Sequence, residues 1–300
     1  MARPRPPRRE ITADKVDSAS RVGRGVLHVV ATPIGNLGDL SARAREVLST
    51  CDVIAAEDTR LVAQLLRTTK IAGRLVSAHE HNEEQRVAQL LAALDAGQSA
   101  ALVSDAGTPL ISDPGYRIVR AVASAGHEIR AVPGPCAAIA ALSIAGIASD
   151  RFVFEGFLVA KSAARRARLA ELTADARTLI FYEAPHRLEE TLREMGEVLG
   201  AQREAVVARE LTKAFETAYR GSLGELAQRA QQDPDMKRGE IVIVVAGAAE
   251  SAPDTDRELS RVLAELLPAL PVSQAADIAA RITGANRNRA YKLALQSVKA

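Results

Sequence analysis

The chain has 300 residues, 47% of them hydrophobic and 25% charged, with a net charge of +2. These values describe a globular protein long enough for two domains, and the small net charge carries no whole-protein argument for nucleic acid. No apolar run approaches the ~20 residues that a bilayer span needs, and two distant cysteines, Cys51 and Cys136, argue against a disulfide scaffold or zinc site and fit a reducing cytoplasm.

The first 25 residues, basic and Pro-rich without an apolar stretch, read as a disordered extension and not a secretory signal. Residues 27–32 (LHVVAT) form an apolar strand run, followed by the loop PIGNLGD at 33–39. A helix is predicted over 40–48, a strand over 52–56, a helix from 59 to about 66, a strand near 75–78 and a helix over 83–94. Apolar runs at 101–103 and 129–132 each stop at a loop of small residues, 104–109 and 133–135, before a helical segment. The helix after Pro135 ends near Gly146. Strands that alternate with helices and end in Gly/Pro loops build a mainly parallel sheet, with ligands held at the strands' carboxyl ends. Small side chains there let main chain approach a flat organic molecule closely.

A second unit starts at Asp150. Its predicted strands are 151–158, 178–182, 204–208 and 240–246, with 214–219 as a hairpin partner. Helices are predicted over 162–172, 186–199 and 223–231, giving a mixed sheet with helices. Residues 250–256 (ESAPDTD) read as a linker. The tail has a helix from 257 to 267. A second helix, capped by Ser273, turns Ala276, Ile278, Ala279 and Ile282 inward. Gly284 marks a turn before a third helix over 286–295, so the tail resembles a helix-turn-helix. From Arg281 to the end there are five basic residues and no acidic one. The resulting division is 1–25, 26–148, 149–249, 250–256 and 257–300.

Several clusters carry chemistry. PIGNLGD is no Rossmann fingerprint, and the chain has no P-loop, GxSxG or HExxH motif. It reads either as a turn or, with the two later loops, as a ligand contact. In AAEDTR, Asp58 reads as a helix cap or a site residue, whereas Glu57 closes a buried strand and needs a partner or a role. HEHNE at 79–83 lacks a third His or Cys ligand, so substrate contact or capping by Asn82 is favoured over metal. YEAPHR at 182–187 and RELTKAFE at 209–216 end strands; both read as solvated helix ends or as cleft residues. Lys161, Arg165, Arg166 and Arg168 form a basic helix start, solvated or phosphate-binding.

In chain order, TPIGNLGDL, AAEDTR, LVSDAGTPLISDPGY, PGPCA, FEGFL, FYEAPHRL, ARELTK and GEIVIVV closely resemble the bacterial ribosomal RNA small subunit methyltransferase I family of the tetrapyrrole methylase superfamily. The resemblance covers residues 27–300. It implies two α/β domains with the cofactor, S-adenosylmethionine, in the cleft between them, plus the helix-turn-helix-like tail. It also implies 2′-O-methylation of a decoding-centre cytidine in 16S rRNA of the small ribosomal subunit, no metal, and a homodimer. The family's cofactor positions match Pro33, Ile34, Asp105, Ala106, Gly107, Thr108, Pro135, Cys136, Ala137, Tyr182, Ala208, Gly239, Glu240 and Ile241.

Methyl transfer from a sulfonium is an in-line displacement that chiefly needs orientation. A 2′-hydroxyl is a weak nucleophile, so a general base helps; Glu57 is the first candidate, with Glu183 and His79 behind it. Candidate RNA contacts are Arg60, Arg187, Arg209 and Lys213, with Arg287, Arg289 and Lys292 in the tail. Two rivals share the ligand loops: a small-molecule tetrapyrrole methylase, and a non-catalytic RNA-binding or ribosome-assembly protein. The basic tail favours RNA over a macrocycle.

Overall fold

The computed structural model of the chain describes residues 25–78, 83–248 and 255–299. His79, His81 and Asn82, the amino-terminal extension and most of the ESAPDTD linker lie outside the described residues. The chain divides into two compact units. The first gathers the described residues through Ile144 with Ala208–Ala218 and Gly239–Val242; the second holds the remainder, tail helices included. Two short segments far along the sequence therefore belong with the amino-terminal unit, which the predicted boundary at 148/149 did not anticipate.

The first unit is built on strands β1 (Val26–Val30), β2 (Val53–Ala56), β3 (Leu75–Ser77), β4 (Ala100–Val103) and β5 (Glu128–Val132), in the order β3-β2-β4-β1-β5. Every pair is parallel. Side chains alternate between two cores, as the period of a strand requires. Val30, Ile54, Ala56, Ala101 and Val103 pack with Ala44 and Leu48 of α1 (Ala42–Thr50) and Val62 and Leu66 of α2 (Thr59–Thr69). Leu27, Val53, Ala55, Ala100 and Leu102 pack with Leu90 and Leu94 of α3 (Glu83–Asp95) and Ile118 and Val122 of α4 (Tyr116–Ser124). Helices on both faces bury the sheet twice over, which is why β2 and β4 read as unbroken apolar runs.

The register decides where the loops emerge. Val30 pairs with both Val103 and Val132, and Ala56 with both Val103 and Ser77. All five strands thus end level along one edge. The chain leaves the central strands β1 and β4 in opposite directions, toward β2 and β5, so this edge contains the switch point at which open α/β sheets hold ligands.

The second sheet has the order β6-β7-β10-β8-β9, from β6 (Phe152–Phe157), β7 (Thr178–Glu183), β8 (Glu204–Arg209), β9 (Thr217–Ser222) and β10 (Ile241–Val245). β6 and β7 run parallel, with a bulge between Phe154 and Gly156. Hydrogen bonds from Glu210 N–H to the Glu240 carbonyl and from Ala246 N–H to the Glu204 carbonyl pair opposite ends of β8 and β10. Those two strands are therefore antiparallel and the sheet is mixed, as expected. Its helices are α6 (Ser162–Glu171), α7 (Leu188–Leu199) and α8 (Leu223–Gln232). Residues 214–219 yield to β9, which starts three residues later.

The helix α5 (Ala137–Ala145) follows the Pro133–Pro135 turn. The tail consists of α9 (Thr255–Leu266), α10 (Val272–Thr283) and α11 (Arg287–Lys299) around a core of Leu259, Leu263 and six alanines. Ser273 is not the cap of α10: Pro271 is, and Ser273 lies inside the first turn. The inward stripe is Ala275, Ala276, Ala279 and Ala280, with Ile278 partly buried and Ile282 62% exposed. Methyl side chains let the helices approach closely, and that phase rotates Ile282 outward. Gly284 ends α10 in the left-handed conformation (φ 69°), as its turn role requires. Among the described residues no helix is long and apolar enough to cross a membrane.

Candidate functional site

Three of the loops on the level edge of the first sheet are tied into one junction. Thr32 N–H donates to the Gly107 carbonyl (2.8 Å) and Gly107 N–H to the Thr32 carbonyl (3.1 Å). The buried Thr32 hydroxyl donates to the Ser104 carbonyl (3.3 Å), the Ser104 hydroxyl to the Gly107 carbonyl (3.2 Å), and the Thr108 hydroxyl to the Pro135 carbonyl (2.9 Å). The loops after β1, β4 and β5 thus share one hydrogen-bonded network. Gly107 has φ +83°, and a Cβ there would come within 3.2 Å of Ile34 Cγ2. A Cβ on Gly134 would meet that of Ala31 at 3.0 Å. Both positions are bare because Ile34 and Ala31 crowd the space a side chain there would need. Ile34 is buried, Pro33, Asp105, Thr108, Pro135, Cys136 and Ala137 are half-buried, and Ala106 is exposed. The arrangement presents main chain and small side chains on a fixed scaffold. Thr32 and Ser104 were not singled out in the sequence; the available signal was a pair of small hydroxyl residues, each ending an apolar run.

The loop after β2 joins the same edge. Asp58 N–H donates to Asp105 Oδ1 (2.9 Å), linking AAEDTR to SDAGTP. Asp58 also caps α2, accepting from Arg60 N–H (2.8 Å), and its two oxygens take the Arg60 guanidinium at 3.1 and 2.8 Å. Those bonds hold its carboxyl down to about 2. The capping reading of Asp58 is therefore correct. Arg60 itself stays 89% exposed, and Glu57 is half-buried at the strand end. Asp113, later in the same SDAGTPLISDPG string, is a second carboxyl here. Burial pushes it up, opposed by a hydrogen bond from Ser104 and assisted by the Asp105 charge.

The ARELTK segment closes the unit's site edge. Ala208 and Ile241 are buried in β8 and β10. Glu210 and Thr212 both adopt left-handed backbone (φ 53° and 65°), and Gly239 does too (φ 77°). Lys213 Nζ lies between Glu210 Oε1 (2.8 Å) and Glu240 Oε2 (3.2 Å). Burial pushes Lys213 down, but the two carboxylates outweigh it and raise its pKa overall. Its stem occupies the space a side chain at Gly35 would need, and Glu210 does the same at Gly239. Arg209 is buried and donates to the Phe215 carbonyl (3.1 Å). Lys213 and Arg209, both candidate RNA contacts by sequence, are thus bonded inward, Lys213 to two carboxylates and Arg209 to a carbonyl.

The second unit places two further candidates, Glu183 and Arg187, in internal bonds. Glu183, 3% exposed, accepts from Ala184 N–H (2.8 Å) and the Thr191 hydroxyl (2.6 Å), with Arg187 Nε at 3.3 Å. Arg187 donates onward to the Leu158 carbonyl (2.7 Å). Glu183 thus anchors the start of α7, and Arg187 links the end of β7 to the end of β6. Tyr182 packs edge-on against Phe154 and Phe157, centroids 5.0 and 5.5 Å away. The three arginines of the basic helix start are paired internally, buried Arg165 with Glu194 (2.6 Å) and Glu190 (2.9 Å), Arg166 with Glu197 and Arg168 with Glu155, while Lys161 is exposed. In the tail, Arg287 pairs with Asp277 (2.6 Å), while Arg289 and Lys292 are exposed. Among the described residues no three His, Cys, Asp or Glu side chains form a metal-binding group.

Comparison with known proteins places this geometry in a family. The model for Tetrapyrrole (Corrin/Porphyrin) Methylases matches residues 26–227, and that for the RsmI C-terminal HTH domain matches 253–297. Ribosomal RNA small subunit methyltransferase I of Xylella fastidiosa (strain Temecula1) is 52% identical, over 89% of this chain and 98% of its own length. The protein of that name from Escherichia coli O157:H7 is 50% identical, over 91% and 96%. Among solved structures, cobalt precorrin-4 methyltransferase shares the fold at a TM-score of 0.55 and 15% identity, over 74% of this chain and 94% of its own. Uroporphyrin-III C-methyl transferase from Thermus thermophilus, complexed with S-adenyl homocysteine, does so at 0.51 and 18%, over 75% and 98%. With both sheets and the helical tail covered by these matches, the chain belongs to the tetrapyrrole methylases and, within them, to the ribosomal RNA small subunit methyltransferase I family.

Proposed function

We propose that the protein transfers a methyl group from S-adenosylmethionine to the 2′-hydroxyl of a cytidine ribose in 16S rRNA of the small ribosomal subunit. The observation that carries this reading is its 50–52% identity, over about nine-tenths of the chain, with two proteins named as small-subunit rRNA methyltransferases. The first unit's site edge fits the cofactor. Its loops are bare at Gly107 and Gly134, where a Cβ would press on Ile34 and Ala31, and so offer a thin main-chain cradle. Residues 33–34, 105–108 and 135–137, with Ala208 and 239–241, would hold it. Bound there, the cofactor supplies an electrophilic methyl group.

The chain's own residues do the rest. The Thr32–Gly107 and Thr108–Pro135 bonds keep the cradle from flexing, and fixed orientation is the main source of rate in such a displacement. Glu57 is the proton acceptor for the ribose hydroxyl. The Asp58–Asp105 hydrogen bond fixes its neighbour in the chain and so restrains the strand end that carries it. Arg60, exposed beside it, and Arg289 and Lys292 in the tail meet RNA phosphates. The protein acts in the cytoplasm, as a homodimer. A macrocycle substrate would leave the basic helix-turn-helix tail without a task.

The test is incubation with methyl-labelled cofactor and small subunits lacking the modification, followed by alkaline digestion of the RNA. A methylated 2′-oxygen cannot cleave the adjacent phosphodiester, so label is expected in an alkali-resistant dinucleotide. Label in a base, or none in RNA, refutes the assignment.

A further inference from the structure

The tail's last helix has an outer face that its three-helix core does not explain. Ala290 and Ala294 of α11 are buried against α9 and α10. The opposite face carries Asn288, Tyr291, Lys292 and Leu295, at the i, i+3, i+4, i+7 spacing of a single stripe. Tyr291 is 43% exposed and Leu295 39%. The chain has four tyrosines, five phenylalanines and no tryptophan, so an aromatic ring on the outermost face of its last helix is a scarce resource. Along the chain, residues 281–300 hold five cations and no acid. Arg287 is drawn back to Asp277, which leaves Lys292 as the cation lying directly beside the ring on that stripe.

A stripe mixing ring, aliphatic and cation suits a particular form of nucleic acid. In A-form duplex the major groove is too deep and narrow for a helix to enter, and the minor groove offers hydroxyls rather than apolar surface. Looped or bulged RNA instead exposes base faces beside phosphates, the two surfaces this stripe complements. We infer that the outer face of α11 docks on a non-duplex stretch of RNA, with Tyr291 stacking on one unpaired base and Lys292 meeting an adjacent phosphate. This rests on the rRNA reading above and adds to it the class of RNA and the residue that recognises it.

The stack and the phosphate contact separate by salt dependence. Binding of full-length protein to small subunits lacking the modification, and to protein-free 16S rRNA, is measured by filter retention across a salt series. Tyr291→Ala is expected to weaken binding to both by about 5- to 150-fold, the range for loss of one base stack. Its salt slope should match wild type, and Tyr291→Phe should bind like wild type. Lys292→Ala should lower the slope by about 0.7, one single-strand phosphate contact. Cofactor affinity of all three variants, by calorimetry with S-adenosylhomocysteine, should stay at the wild-type value, since the substitutions are on an exposed face.

Unchanged binding by Tyr291→Ala, with wild-type protein binding normally, overturns the stacking inference and leaves the methyltransferase reading intact. Equal losses in the Ala and Phe variants point to a hydroxyl bond and overturn it as well. A loss seen on subunits but not on protein-free RNA assigns the face to a ribosomal protein, and that also refutes it. Wild-type protein that binds neither probe overturns the rRNA reading itself.

Discussion

Replacing Gly107 with alanine probes whether the loop junction is a ligand site or only a scaffold. The residue sits at φ +83°, a region that costs an L-residue about 1–2 kcal/mol. The new Cβ would also lie 3.2 Å from Ile34 Cγ2, close enough to displace the loop after β1 by a few tenths of an ångström, while Pro135 O at 3.7 Å is in ordinary contact. Loss of glycine's freedom in the unfolded chain offsets about 0.4–1 kcal/mol of this. The backbone terms leave about 0–1.6 kcal/mol, and with the crowding at Ile34 added a net destabilisation of about 1–2 kcal/mol corresponds to a melting temperature lower by about 2–8 °C for a domain of 150–250 residues. Gly97→Ala supplies the control, because Gly97 has the same kind of backbone (φ +78°) with nothing within 4 Å of its Cβ position, at the opposite edge of the sheet. Calorimetric unfolding and titration with S-adenosylhomocysteine are read together. Both variants should melt lower, but only Gly107→Ala should lose cofactor affinity, by about tenfold for a misplacement of this size. Equal cofactor affinity in the two variants would refute the junction as a cofactor cradle and leave it a structural knot.

Glu57→Gln should lower single-turnover methylation on saturating subunits by about 10²–10⁴-fold with cofactor affinity unchanged, and a rate within about threefold of wild type removes it as the base. Lys213→Met keeps the stem over Gly35 but removes the charge held by Glu210 and Glu240; it should weaken cofactor binding yet leave the salt slope of subunit binding unchanged, whereas a slope lower by one contact would restore Lys213 as an RNA residue. Glu194→Ala should destabilise the second unit by about 3–5 kcal/mol, since it strands the buried Arg165 guanidinium with Glu190 alone, and chemical denaturation measures it. Burial pushes the Glu194 carboxyl up, but bonds from Arg165 and Ser162 outweigh it and hold the group below its ordinary value. Its contribution is therefore present above the usual carboxylate range and lost as pH falls through the depressed native value, so wild type should lose stability in acid and the variant less so.

The sequence by itself determined the order of elements, the loops of small residues and the family. Those signals are local: apolar period, Gly and Pro punctuation, and strings such as SDAGTP and PGPCA whose residues are neighbours in the chain. It also left Asp58 open between cap and ligand, and the αL turn at Gly284 was legible because glycine alone tolerates that conformation without strain. Only the tertiary structure decided which charges are available. Arg187, Arg209, Lys213 and the Arg165 cluster look alike in sequence as cations at strand and helix ends. Each is bonded to a carboxylate or a carbonyl lying between 3 and 31 positions away. Glu183 likewise reads as a site carboxylate until Thr191 and Arg187 are seen to enclose it. The phase of α10 was decided the same way, by alanines packing against another helix, which turned Ile282 out. A charge finds its partner, and a helix its buried face, through distances that folding sets, and an unaligned string of residues does not contain those distances.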